Sequence, residues 1–234
     1  MTTISANLQA VKDRIAVACA VAHRDPATVA LLAVSKTWPA ACLREAAAVG
    51  QRAFGENYVQ EALAKLAELS DLELQWHFIG PLQSNKTRSV AENFSWVHSV
   101  ERLKIAERLS EQRPGHLPQL NVCVQVNVSG EESKSGCAPA EAPALCRAVA
   151  ALPRLRLRGL MAIPEPSLAN EENSALARRR FALLREMRDA LVAEGMELDT
   201  LSMGMSHDLE AAIMEGATIV RIGTAIFGER LYTK

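Results

Sequence analysis

Apolar residues Ile4, Leu8, Val11, Ile15 and Ala18 recur at spacings of three and four, which draws one stripe along a helix. The stripe stops near His23-Arg24-Asp25-Pro26, where proline ends it. Beyond it, short apolar runs alternate with helical patterns. The runs Ala30–Val34, Arg52–Phe54, Leu74–Ile79, Trp96–Val97, Asn121–Val128, Arg156–Met161, Asp199–Ser202 and Thr218–Ile222 read as strands. Segments Ala40–Val49, Tyr58–Glu68, Lys86–Ala91, Glu101–Ser110, Pro139–Ala150, Ala175–Glu194 and Asp208–Glu215 read as helices. About eight strand-and-helix units therefore follow one extra helix. Strict alternation implies a parallel sheet, and this many units in a chain this long suits a closed barrel. The expected fold class is α/β, a single (β/α)8 TIM-type barrel spanning 1–234 with an extra N-terminal helix. A doubly wound open sheet is the alternative, because periodicity does not distinguish the two and Arg52–Phe54 and Trp96–Val97 are short. No shift in composition marks a domain boundary. The Pro-rich Ile163–Leu168 and the polar Gly130–Gly136 are too short for linkers and read as loops of the active face.

Composition narrows the partners. The chain has 234 residues, 49% of them hydrophobic, and a net charge of −1. A near-neutral balance gives no reason to expect nucleic acid or an anionic membrane. The basic run Arg178-Arg179-Arg180 lies inside a helical pattern and reads as a solvated face. Five cysteines, with no CxxC pair, fit reduced thiols in the cytoplasm. No signal pattern opens the chain and no apolar run approaches the roughly 20 residues of a membrane span. The histidines are scattered without an HExxH pattern, so no metal is expected.

The strand ends carry the candidate chemistry. Parallel α/β folds bind ligands where the carboxyl ends of strands meet their loops. Lys36 sits there, in Ala33-Val34-Ser35-Lys36-Thr37. An amine at a largely apolar strand end loses its proton more easily, which carbonyl-binding lysines need. An ordinary solvated lysine is the plain alternative. Glu56 and Asn57 follow the second strand; His77 and Gly80 close the third; Asn127 and the Lys134 loop follow the fifth; Met161 ends the sixth. Ser202, Met203, Gly204 and Ser206 follow the seventh, and Arg221, Gly223 and Thr224 end the eighth. The last two groups suit an anion. Ser202-Met203-Gly204-Met205-Ser206-His207-Asp208 opens a helix with free N–H groups and hydroxyls, and Arg221-Ile222-Gly223-Thr224 adds donors. Barrels frequently bind phosphate after strands seven and eight. Two structural alternatives stand beside this: Ser206 as a simple N-cap, and Arg221 in a buried ion pair.

There is no GxxxxGK[ST], GxGxxG or GxSxG motif. What the chain does contain is Val34-Ser35-Lys36-Thr37, Phe54-Gly55-Glu56-Asn57-Tyr58-Val59-Gln60-Glu61, His77-Phe78-Ile79-Gly80-Pro81-Leu82-Gln83-Ser84-Asn85-Lys86, Ser133-Lys134-Ser135-Gly136, Gly159-Leu160-Met161, Leu201-Ser202-Met203-Gly204-Met205-Ser206 and Arg221-Ile222-Gly223-Thr224-Ala225-Ile226-Phe227-Gly228. In this order, over essentially the whole chain, they resemble the pyridoxal phosphate homeostasis protein family, also called proline synthase co-transcribed proteins. The resemblance implies a barrel like the N-terminal domain of alanine racemase, with pyridoxal 5′-phosphate held as a Schiff base on Lys36. It implies that Ser206, Gly223 and Thr224 hold the phosphate, that Arg221 faces the pyridine nitrogen and that Asn57 and Met203 line the ring. Lys134 matches a mobile-loop lysine associated with moving the cofactor. Pro164-Glu165-Pro166 departs locally from the family pattern and touches none of these residues.

The family has no established catalytic reaction, and its role is cofactor homeostasis. A cationic Arg221 beside the pyridine nitrogen disfavours ring protonation and weakens the electron sink. That argues against aminotransferase-like chemistry, whereas racemases of the related fold tolerate the arrangement but also use a tyrosine from a second domain of a partner subunit; here the tyrosines are Tyr58 and Tyr232. The expectation is a monomeric, non-catalytic carrier, with apo pyridoxal phosphate enzymes as the recipients. A pyridoxal phosphate-dependent amino-acid racemase is the alternative, and a cofactor-free Schiff-base aldolase using Lys36 is a third reading.

Overall fold

A computed structural model describes residues 3–130, 135–164 and 171–229, with the side chains of 171–174 left aside. The first helix, α1 (Ile4–Val21), starts where the Thr3 hydroxyl accepts the Ala6 amide. It buries Leu8, Val11, Ile15 and Ala18, the stripe read from the sequence. The chain then alternates: β1 (Ala30–Val34), α2 (Ala40–Ala48), β2 (Ala53–Glu56), α3 (Val59–Glu68), β3 (Gln75–Phe78), α4 (Thr87–Asn93), β4 (Trp96–Val100) and α5 (Leu103–Gln112). It continues with β5 (Leu120–Gln125), α6 (Ala142–Ala150), β6 (Leu155–Met161), α7 (Glu171–Ala193), β7 (Thr200–Ser202), α8 (Leu209–Met214), β8 (Ile219–Ile222) and α9 (Thr224–Phe227).

The eight strands are parallel and close in sequence order. Closure rests on β1 pairing with β8 through Ala30↔Ile219, Leu31↔Val220, Leu32↔Arg221 and Ala33↔Ile222. That pairing excludes the open sheet. Two short strand assignments lengthen. The second reaches Glu56, because Phe54, Gly55 and Glu56 all pair with β3. The fourth runs to Val100 across an irregular register between Val97 and Val100, which periodicity does not reveal.

Apolar side chains fill two shells. The larger lies between strands and helices, with Phe54, Phe78, Phe94, Leu120, Leu160 and Phe181 almost fully enclosed. The smaller occupies the barrel interior: Leu32, Val34, Ile79, Trp96, Cys123, Met161 and Ile219. No helix among the described residues is long and apolar enough to cross a membrane.

Candidate ligand site at the carboxyl ends of the strands

Lys36, Asn57, Met203, Ser206, Arg221, Gly223 and Thr224 follow or end β1, β2, β7 and β8. These four strands are consecutive around the closed barrel, so the seven residues share one arc of its mouth. Lys134 lies outside the described residues.

Lys36 is half-buried in the turn after β1, and both neighbours are pinned. Lys65 Nζ donates to the Ser35 carbonyl at 2.8 Å, and Ser35 Oγ donates to Glu56 Oε1 at 2.6 Å. On the other side the Thr37 amide donates to Glu61 Oε1 at 2.5 Å. Thr37 sits at φ 69°, a left-handed conformation that a β-branched residue adopts only when its surroundings impose it. Lys65 also pairs with Glu56 at 2.7 Å and Glu61 at 2.6 Å. Glu56 is fully buried and turned toward α3, so it braces the lysine turn rather than facing a ligand. Burial pushes its carboxyl up despite Lys65, and its second oxygen, Oε2, is buried without a protein partner.

Asn57 is half-buried, and its Oδ1 atom is buried without a protein partner. Gly80 backs it closely: a Cβ there would stand 2.5 Å from the Asn57 carbonyl oxygen.

The loop after β7 is shaped by Gly204 and Asp208. Gly204 has φ +94°, and a Cβ there would meet the Ala212 Cβ at 2.6 Å. Asp208 Oδ1 accepts the Met205 amide at 2.5 Å. Helix α8 begins one residue after Asp208, so Ser206 is not its N-cap; its half-buried side chain belongs to the loop. Arg14 of α1 reaches this loop, donating to the Ser206 carbonyl at 3.2 Å and to Glu210 at 2.8 Å. Met203 is buried, its amide bonded to the Ile219 carbonyl. At Gly223 an added Cβ would come within 3.1 Å of the Val34 carbonyl, so this turn lies against the end of β1. The amides of Ile226 and Phe227 fold back onto the Gly223 carbonyl, and those of Thr224 and Ala225 open α9 without an intrahelical acceptor.

Arg221 anchors the arc from below. It is 3% exposed, and its Nη1 and Nη2 donate to Ser202 Oγ and the Ala162 carbonyl, both at 2.8 Å. Both partners are neutral, so the alternative of a hydrogen-bonded structural ion pair is not what holds it. Burial pulls the guanidinium down to about 10, which leaves it cationic at neutral pH.

Ser202 leads into a buried polar row that the sequence reading left unassembled. His98 Nδ1 lies 2.7 Å from Ser202 Oγ, His98 Nε2 lies 2.9 Å from His77 Nδ1, and His77 Nε2 lies 3.0 Å from Gln75 Oε1. The i, i+2 spacing of Gln75 with His77, and of Trp96 with His98, on adjacent strands is the sequence signal for one shared face. Burial pushes His77 down to about 3 and His98 well below its usual range, with His77 and Arg221 adding to the latter. Among the described residues no cluster of three or more His, Cys, Asp or Glu is arranged to hold a metal.

The arc can hold an anion against amides, hydroxyls and one buried cation, and can offer a primary amine to a carbonyl. Comparison with known proteins points the same way. The family model for the alanine racemase N-terminal domain matches residues 6–231. A pyridoxal phosphate homeostasis protein of Pseudomonas aeruginosa is 66% identical over 232 residues, covering 99% of this chain and 98% of that protein. Its Escherichia coli K12 counterpart is 53% identical over 240 residues, covering 100% of both. PipY of Synechococcus elongatus PCC7942, solved with PLP bound, has a TM-score of 0.80 at 43% identity, over 92% of this chain and 100% of that chain.

Proposed function

Because this chain belongs to the pyridoxal phosphate homeostasis protein family, built on the alanine racemase N-terminal domain fold, we propose that it binds pyridoxal 5′-phosphate and stores or delivers it without turning over a substrate. The observation that carries the reading is Arg221. A buried cation whose two hydrogen-bond partners are neutral, with Asp208 acting on it only through space, is costly, and an anionic ligand on the same arc offsets that cost. The orphaned Asn57 Oδ1 and the close turn at Gly223 also fit a planar, phosphate-bearing ligand.

In this assignment Lys36 supplies the amine, held in place by its pinned neighbours. Ser206, Gly223 and Thr224 take the phosphate, Asn57 and Met203 line the ring, and Arg221 faces the ring nitrogen. Pyridoxal phosphate, when bound, supplies an aldehyde for reversible covalent capture and an electron sink that is strong only when its ring nitrogen is protonated. Arg221 stays cationic at neutral pH and disfavours that proton, which argues against aminotransferase-like carbanion chemistry. We place the protein in the cytoplasm as a monomer with a single pyridoxal phosphate-binding barrel over 1–234. Its five cysteines are free, in keeping with a reducing compartment. Apo pyridoxal phosphate enzymes are its recipients.

The test is the absorption spectrum of protein incubated with pyridoxal phosphate, before and after borohydride, followed by peptide mapping. A band bleached by reduction, with the pyridoxyl adduct on Lys36, is expected. A colourless, unmodified protein would sink the assignment. Transfer to an apo-enzyme faster than from free cofactor supports delivery. Lys36-dependent exchange of amino-acid α-protons into deuterated solvent would instead establish an enzyme.

A further inference from the structure

The row beneath Arg221 has a direction that its chemistry fixes. The Arg221 guanidinium only donates, so Ser202 Oγ accepts from Nη1. At the far end Gln75 offers a carbonyl oxygen, Oε1, so His77 Nε2 carries the proton and donates to it. His77 is neutral, so its Nδ1 is the acceptor, and His98 Nε2–H is the donor to it. His98 Nδ1 is then left as the acceptor for the Ser202 hydroxyl proton. In this arrangement all four imidazole nitrogens and the Ser202 hydroxyl each have a partner of the right kind. The opposite polarity would make Ser202 Oγ accept from both His98 and Arg221 and strand its own proton. His77 is held by stacking, parallel to Trp96 at 5.3 Å between centroids, and His98 packs tilted against the same indole at 5.6 Å. The row thus runs from exposed Gln75 to the buried guanidinium through rings that cannot easily turn.

We infer that Ser202, His98 and His77 are positioning residues for Arg221: a one-way hydrogen-bond relay across the barrel interior that fixes the rotation of its guanidinium and so the edge it presents to the bound ligand. The inference rests on the assignment of Arg221 to the ring nitrogen of pyridoxal phosphate. None of the three touches the ligand in this scheme. Their influence passes through the two Arg221 bonds, to Ser202 Oγ and the Ala162 carbonyl, which fix its plane. His77 is the informative member, because it is separated from Arg221 by His98 and Ser202.

The experiment loads the purified protein with pyridoxal phosphate and reads the absorption maximum of the bound cofactor and its rate of release. His77→Phe keeps a ring against Trp96 but removes the acceptor for His98; Ser202→Ala cuts the row beside Arg221. Each is expected to shift the band in the same direction and speed release about tenfold, which is about 1.4 kcal/mol, while borohydride still fixes the cofactor on Lys36. His77→Asn, which returns an acceptor near the Nδ1 position, is expected to restore band and rate. In an Arg221→Gln background the same substitutions are expected to change release less than about twofold, because their effect passes through Arg221. Equal effects with and without Arg221, or a His77→Phe protein with unaltered band and release, would overturn the relay. If His77→Phe does not fold, Ser202→Ala alone and with Arg221→Gln decides the question by the same criterion. Absence of any cofactor band in the unsubstituted protein is a different result: it overturns the site assignment, and the relay with it.

Discussion

Acid should weaken this fold through His77 and His98. They are 3% and 0% exposed and stay neutral, His77 down to about pH 3. In the unfolded chain a histidine titrates near 6.5. Below that value the unfolded state binds protons that the folded state refuses, so stability falls as pH falls. Integrated from pH 7 to pH 5, one such histidine loses about 2 kcal/mol, and the pair about 4 kcal/mol. Glu56 and Asp208 act in the opposite sense, because burial raises both and the folded state takes up their protons first. The total slope is therefore a difference, and a variant is needed to isolate the histidine part. Urea unfolding of the wild type and of His77→Phe, each at pH 7 and pH 5, provides it. The variant should lose about 2 kcal/mol less than the wild type over this interval. Equal losses in the two proteins would refute the claim that a buried neutral His77 sets the acid sensitivity.

Three further outcomes follow from the site. Lys36→Ala should abolish the borohydride-stable adduct yet retain measurable pyridoxal phosphate binding by equilibrium dialysis, because charge-assisted bonds to the phosphate do not need the amine. Lys65→Met should cost about 3–5 kcal/mol in urea unfolding, since it leaves Glu56 buried without its cation; it should also slow adduct formation at Lys36 by loosening Ser35. Gly204→Ala should cost about 2 kcal/mol or more, from a left-handed backbone and a Cβ contact at 2.6 Å, and weaken pyridoxal phosphate relative to pyridoxal as measured by titration.

The barrel was legible because each strand and helix carries its own periodicity and because βα alternation permits few topologies. Closure was legible only from the number of units for the chain length; the register that seals it was not, since no local pattern encodes the pairing of Leu32 with Arg221. Lys36, Ser206 and Gly223 were legible by position at strand ends. Their supports were harder to see. Lys65 occupies the buried face of α3 with Val59 and Ala62, where a charged residue reads as an interruption of the stripe. Glu56 looked like part of the mouth, because the sequence does not show that its strand runs two residues further and turns the carboxylate outward to α3. His77 and His98 looked scattered because they are distant in sequence, although adjacent strands put them side by side. The helix after β7 starts later than its polar cluster suggests, because Asp208 spends its carboxylate on the Met205 amide instead of a helical one.

Helix α1 stands outside the eightfold repeat, yet it fastens the repeat's shortest pieces. Helices of six and four residues such as α8 and α9 do not persist alone in water. Arg24 donates to the Ile213 carbonyl of α8, Asn7 to the Ile226 carbonyl of α9, and Arg14 to the Ser206 carbonyl between β7 and α8. The first helix is thus a splint for the last quarter of the barrel. Its detachment would open α8 and α9 as one cooperative unit, at less free energy than global unfolding, while the strands stayed paired. Amides of that unit would exchange hydrogen together and ahead of the strands. The retention time of a ligand gripped there would be governed as much by the outer wall as by the mouth.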